Sequence, residues 1–319
     1  MAWVWSSALL GVVFSIPAAV VALDDVSRGA AFAVGVIPPA IVGLRPRRKG
    51  RLASAVLGVF VAVPVLAGAI LANVPVLAVA ALLGAGIGAA LLAQRSRLGA
   101  IALALGLPMA GVGLSYSDVG TAAGLAAIMV AGAIYAAVVS LAWPEFDPPP
   151  PPAHPSPVPT LAYGVLLGTT GATAAAIGFV LDLDHVGWAC AAALLVIRPS
   201  AEMQEIRSVG RIASVTVGAL AAVVVVRADP AAGWYSLAIL VVLAAVAGTR
   251  GSRWYTTSAF TTFLVFVLLL YGNVAEAASR FGERLGETVL GVGLACLFGL
   301  VIPKLADLAT LQPAPTPEG

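Results

Sequence analysis

The chain has 319 residues, 61% of them hydrophobic and 10% charged, with a formal net charge of +2 and a mean hydropathy of +1.03. A soluble domain carries roughly 25% charged residues, so these values exclude an ordinary soluble fold, and the small net charge excludes nucleic acid as a partner. Uncharged stretches near the ~20 residues that cross a bilayer recur too often for one buried core and lack the alternation of barrel strands, which predicts an all-α integral membrane protein in a lipid bilayer.

The first predicted span covers 3–23, because "MAWVWSSALLGVVF" lacks a basic leader and stays apolar as far as Leu23, unlike a cleavable signal peptide. A second covers 29–44 and ends at the basic run "RPRRKGR". The uncharged stretch from Leu52 to Gln94 is long enough for two crossings, 52–72 and 74–93, hinged at "ANVP". Spans at 99–116 and 120–142 complete a first repeat, 1–143. The proline-rich run "PEFDPPPPPAHPSPVP", 144–159, is an extended linker in which His154 is a passenger. A second repeat, 160–303, holds spans at 160–181, 186–200, 211–227, 233–249, 255–271 and 281–302, and a short tail, 304–319, follows.

Basic residues cluster at 45–51, at Arg95 and Arg97, at Arg198, Arg207 and Arg211, and at Arg250 and Arg253. Threaded through twelve crossings, all of them fall on one side, which the positive-inside rule makes cytoplasmic, together with both termini and the linker. The opposite loops hold Asp24, Asp25, Asp118, Asp182 and Asp184. The implied location is the plasma membrane.

The two repeats announce themselves in a shared pattern, Pro-x7-Arg-x2-Gly-Arg-x-Ala-Ser-x3-Gly, which begins at Pro39 and again at Pro199. Asp25 aligns with Asp184, Gly132 with Gly291 and Pro144 with Pro303 at an offset of 159, against 160 for the motif itself. Six spans per copy keep both copies in the same orientation, so the expected architecture is about twelve transmembrane helices in two parallel tandem six-helix repeats.

Candidate site residues fall mostly in the second copy. Arg51 and Arg211, equivalent in the motif, either snorkel to lipid phosphates or together hold an anion near the pseudo-twofold axis. In "SRFGERLGETVLGVG", Arg280, Glu283, Arg284, Glu287, Thr288 and Gly291 share one helix face. A charge at the bilayer centre costs roughly 2.5–3.5 kcal/mol on insertion scales, so this face must turn to protein or water. The first copy has Thr121, Gly124, Leu125 and Ile128 there, so the fold itself does not require the charges. Arg284 and Glu287 are therefore candidates for substrate binding or translocation, Glu287 as the titrating group, with Arg280 and Glu283 as ion-pair support nearer the helix end. Hydroxyls at Thr257, Ser258, Thr261 and Thr262 either line a polar path or bond within their own helix. Trp188 is too deep for an interfacial belt.

Chemistry of other kinds finds little support. "DLDH" (Asp182 to His185) sits in a short loop with no second histidine but His154, and Cys190 and Cys296 lack metal-ligand spacing and read as small apolar side chains. No phosphate-binding loop, Cys-x2-Cys pair or nucleophile elbow is present in the sequence, so neither an enzyme nor a cofactor site is expected.

The run from Gly187 to Val226 resembles the fusaric acid resistance protein-like (FUSC) family, which includes aromatic acid exporters. A tryptophan, a proline at the membrane edge, then arginines and a small-residue motif opening the next helix fall here on Trp188, Pro199, Arg207, Arg211 and Gly218. An arginine-bearing helix with threonine-x2-glycine resembles Arg284, Thr288 and Gly291. The resemblance covers about residues 160–303 and reaches the first half only through the repeat. It implies export of small, often aromatic, organic acids driven by the proton gradient, with the larger exporters' cytoplasmic domains missing here. Arg207, Thr288, Trp188, Thr261 and Arg51 join Arg284, Glu287 and Arg211 as residues for a small organic anion. A passive organic-anion channel, a major-facilitator-like carrier and a non-transporting scaffold are the rival readings, and the oligomeric state is left open.

Overall fold

Runs of alanine, leucine, valine and glycine place no side chain that could satisfy the backbone, so in an apolar setting each run must bond to itself, and it does so as helix. The computed structural model describes residues 3–147, 159–198, 200–251, 254–272 and 274–304, and every element among them is helical. Residues 1–2, the run 148–158 with His154, Pro199, the pair 252–253 with Arg253, residue 273 and the tail 305–319 lie outside the described residues.

Helices α1 (Trp5–Asp24), α2 (Val26–Val42), α3 (Ala53–Ala72), α4 (Pro75–Ala93), α5 (Leu98–Gly113) and α6 (Val119–Ala142) occupy the first half. The second contains α7 (Leu161–Val180), α8 (Val186–Val196), α9 (Ala201–Arg227), α10 (Ala232–Gly248), α11 (Trp254–Leu270) and α12 (Ala277–Cys296). Seven helices among the described residues are long and apolar enough to cross a membrane: α1, α3 with its leading turn Arg48–Arg51, α4, α6, α7, α9 and α12 with its continuation to Lys304. The other five are shorter apolar helices. The outside of the bundle is apolar too, with Trp5, Val76, Val180 and Val224 strongly exposed, as hydrocarbon solvent allows and water does not.

Local chemistry sets the helix ends. Asp25 caps α2 by accepting from the Arg28 N–H at 3.0 Å, Asp118 caps α6, and Thr160 caps α7 through Tyr163 N–H. Asp184, which the sequence alignment sets against Asp25, does not cap α8; it pairs with Arg280 at 3.4 Å instead. Two π-helical turns, Ala102–Gly106 and Leu297–Val301, each stand just before a proline, Pro108 and Pro303. A proline cannot donate to the carbonyl four residues back, and a widened turn accommodates the loss. Helix α9 starts at Ala201, well ahead of the expected 211, because "AEMQEIR" forms helix readily although it is too polar to read as membrane span.

Packing crosses between the halves. α1 lies along α10 and α4 lies along α7, each seam admitting close backbone approach at glycines; a Cβ on Gly86 of α4 would stand 2.6 Å from Gly168 Cα of α7. α2 meets α11, and α8 meets α5. One apolar core joins Phe14, Ile37, Trp188, Ile239 and Leu264, and the other joins Leu82, Leu107, Leu167, Leu194 and Val292, so each is drawn from both halves. Within the halves the pattern diverges. α3 packs tightly on α6, with Gly58 against Ala133, whereas α9 leans on α11, with Gly218 against Ala259 and Thr262.

Candidate functional site

The leaning of α9 onto α11 leaves polar side chains between α9, α11, α8 and α12. Along the inner face of α9, Gln204, Ser208, Arg211 and Ser214 are all buried, at steps of four, three and three residues that keep them on one stripe. Arg211 is 6% exposed and donates from Nη1 to Ser258 Oγ on α11 at 2.7 Å; Ser214 Oγ reaches the same hydroxyl at 3.0 Å. Across the gap, Arg284 of α12 is 7% exposed, with its guanidinium carbon 4.5 Å from the centre of the Trp188 ring of α8. Glu287, one turn further along, is 5% exposed, and Thr288 is fully buried.

These groups are poorly matched to one another. Arg211 Nε, Arg284 Nε and Nη1, Glu287 Oε2 and Thr288 Oγ1 are buried without a hydrogen-bond partner among the described residues. Buried polar atoms are rarely left so. Arg211 and Arg284 are near enough to repel, and Glu287 is the single carboxylate that attracts Arg284 within the buried cluster. Arg–Glu pairing, expected along this helix face, forms at its outer end, where Arg280 meets Glu283 at 3.2 Å and Glu276 at 3.2 Å. Between Arg284 and Glu287 no ion pair closes within 4 Å.

Glu287 also borders a cleft of about 380 Å³ formed by Leu181, Asp182, Leu183 and Asp184 of the α7–α8 loop and by Glu283, Gly286 and Leu290 of α12. The loop is rigidly built. Asp182 adopts a left-handed conformation (φ 50°), and the N–H groups of Leu183 and Asp182 return to the carbonyls of Gly178 and Phe179, a cap that ends α7 abruptly. The polar stripe thus runs from Gln204 at the basic end, through Arg211 and Arg284, to Glu287 at the acidic end.

Three other expected site residues stand apart from the cluster. Arg51 is fully buried but engaged: Nε donates to Arg45 O, Nη1 to Ser140 O and Trp143 O, and Nη2 to Pro46 O and Pro144 O, all at 2.6–3.2 Å. Five donors on five carbonyls leave a guanidinium nothing to offer an anion, so Arg51 clamps the end of α6 and does not pair with Arg211 across an axis. Thr261 donates to the Ser258 carbonyl of its own helix at 3.0 Å, and the buried hydroxyls of α11 are those of Thr256, Ser258 and Thr262. Arg207 sits nearer the basic end, beside Arg198 and Tyr163.

Two residues outside the expected set belong here. Gln204 Nε2 donates to Ala295 O at 2.5 Å, pinning α9 to α12, and its signal was the polar stripe it shares with Ser208 and Arg211. His185 stacks on Trp188 with ring centres 4.1 Å apart, and the signal for it was their i, i+3 spacing at the start of α8.

Every residue of the cluster lies in the segment that compares with known proteins. Residues 173–298 match the fusaric acid resistance protein-like family. The match spans about two fifths of the chain, holds Trp188, Arg211, Ser258, Arg284 and Glu287, and points to membrane transport or efflux. No curated protein and no solved structure matches the chain.

Proposed function

We propose that the protein is a transporter of the plasma membrane that exports small aromatic organic acids, with one translocation path in its second half and Glu287 carrying the coupled proton. The observation that carries this reading is the pair of buried guanidinium groups, Arg211 and Arg284, both with unpartnered N–H donors and the second lying over the face of Trp188. Two cations and one carboxylate leave net positive charge where charge is costly, and the carboxylate of an organic acid offers acceptors to the donors. The twelve-crossing, two-repeat architecture belongs to the same proposal. It is supported by the packing: α1 with α10 and α7 with α4, α2 with α11 and α8 with α5, α2 with α6 and α8 with α12 are the same contacts displaced by six helices.

The first half argues for a single path. Its equivalents of Arg284 and Glu287 are Leu125 and Ile128, and α3 packs more closely on α6 than α9 does on α12. A scaffold docking a partner through Arg284 and Glu287 would need them on the surface, and both are buried.

Flux of a labelled aromatic carboxylate in proteoliposomes tests the reading. Arg284→Ala and Glu287→Gln are expected to lower export by at least about tenfold, the order of one lost charge-assisted contact, and Arg280→Ala to lower it less. Under an imposed pH gradient, Glu287→Gln should abolish uphill transport while leaving downhill exchange. Gradient-independent flux in the wild type would mean a passive channel, and no flux at all would leave the scaffold.

A further inference from the structure

The acidic end of the cluster carries a set of contacts that the transport reading does not use. His185, at the start of α8, faces α12 with Nδ1 3.4 Å from Arg280 Nη1 and 3.9 Å from Glu283 Oε2. Arg280 is held in turn by Asp184, Glu276 and Glu283. Behind the imidazole lies Trp188, and beyond Trp188 lies Arg284, so three planar groups form a column from the loop to the buried cluster. The α7–α8 loop is tied to α7 by its cap, and these side-chain contacts tie it to the first turns of α12.

From this geometry we infer that His185 is the proton-sensing residue of a gate at the acidic end: the neutral imidazole accepts from Arg280 and keeps α12 against the α7–α8 loop, and its protonation releases them. The inference rests on Arg284 and Glu287 lining the path. A neutral Nδ1 can accept from the guanidinium, whereas a protonated ring has no lone pair left and sets a second cation beside Arg280. Five charged groups face His185. Arg280 and Arg284 oppose its protonation, Glu283 and Asp184 favour it, and the Glu287 carboxylate lies against its backbone N–H. Burial foremost, and then the Arg280 charge, hold the imidazole below its usual range. The closed state therefore binds the proton less well than an open one does, so acidification favours opening and neutral pH favours closure.

Accessibility of a cysteine behind these contacts reads the gate without any flux. Thr288→Cys is made with Cys190 and Cys296 replaced, in nanodiscs, and its rate of modification by a charged methanethiosulfonate is divided by that of Ser117→Cys, in an exposed loop of the same end. Between about pH 7.5 and about pH 5, across the ordinary imidazole range, this ratio is expected to rise by about tenfold or more. His185→Gln should hold the ratio constant, and Arg280→Ala should make it high at both values. Trp188 emission gives a second readout: a protonated His185 should quench it in the wild type, and Trp188→Phe should remove that change. A ratio and an emission that both ignore pH, or a rise that persists in His185→Gln, overturn the gate. Absent flux with a pH-dependent ratio would sink the transport reading alone.

Discussion

Arg51 and Arg211 hold the same place in a motif that the sequence writes twice, and their surroundings explain why equivalence in sequence is not equivalence in role. Arg51 spends every N–H on carbonyls at the end of α6 and in the α2–α3 loop. Arg211 has a single serine oxygen on Nη1 and an unpartnered Nε. Arg51→Ala is expected to cost at least about 3 kcal/mol, since it removes several charge-assisted bonds at once, and to appear as a lower melting temperature of the purified protein; Arg211→Ala should change melting far less. The inward turn of Arg284 and Glu287 was legible from the cost of charge in hydrocarbon. The engagement of Arg51 was not, because all five acceptors are backbone atoms, which sequence does not distinguish.

At the level of single helices, hydropathy located the apolar segments well and their polar ends poorly. α9 extends ten residues beyond its apolar part, and those residues carry Gln204 and Ser208, the start of the polar stripe. A window tuned to apolar content discards such residues by design. The α8–α12 seam makes a sharper test of packing. A Cβ on Gly291 would collide with the Ala189 carbonyl and lie 2.9 Å from Ala192 Cβ and Ala193 N. Gly291→Ala should therefore destabilise by about 1–3 kcal/mol, the usual cost of overpacking, and weaken transport by moving Trp188 from Arg284. Gly293→Ala, which meets nothing within 4 Å, should do neither. Thermal melting and flux of the two variants side by side check this.

For the whole molecule, aligned prolines, glycines and arginines suggest a repeat, but the way the two halves pack on one another could not be read from them. Nothing in the spacing of residues says that the first helix of each half lies against the fourth helix of the other. Both apolar cores depend on that exchange. Halves 1–147 and 159–319, expressed from separate genes with a tag on one, should co-purify, and either half alone should aggregate or be degraded. Independent, monodisperse halves would contradict the exchange.

The exchange also constrains biogenesis. The backbone N–H of Val4 bonds to the carbonyl of Gly248 at 2.9 Å, so the amino-terminal helix finds its seat only after some two hundred and fifty residues have left the ribosome. Until then α1 must wait in lipid with Gly11 and its neighbours uncovered. A nascent chain held in that way offers membrane chaperones and proteases a long interval in which to act, and slowed synthesis of the second half should lengthen it.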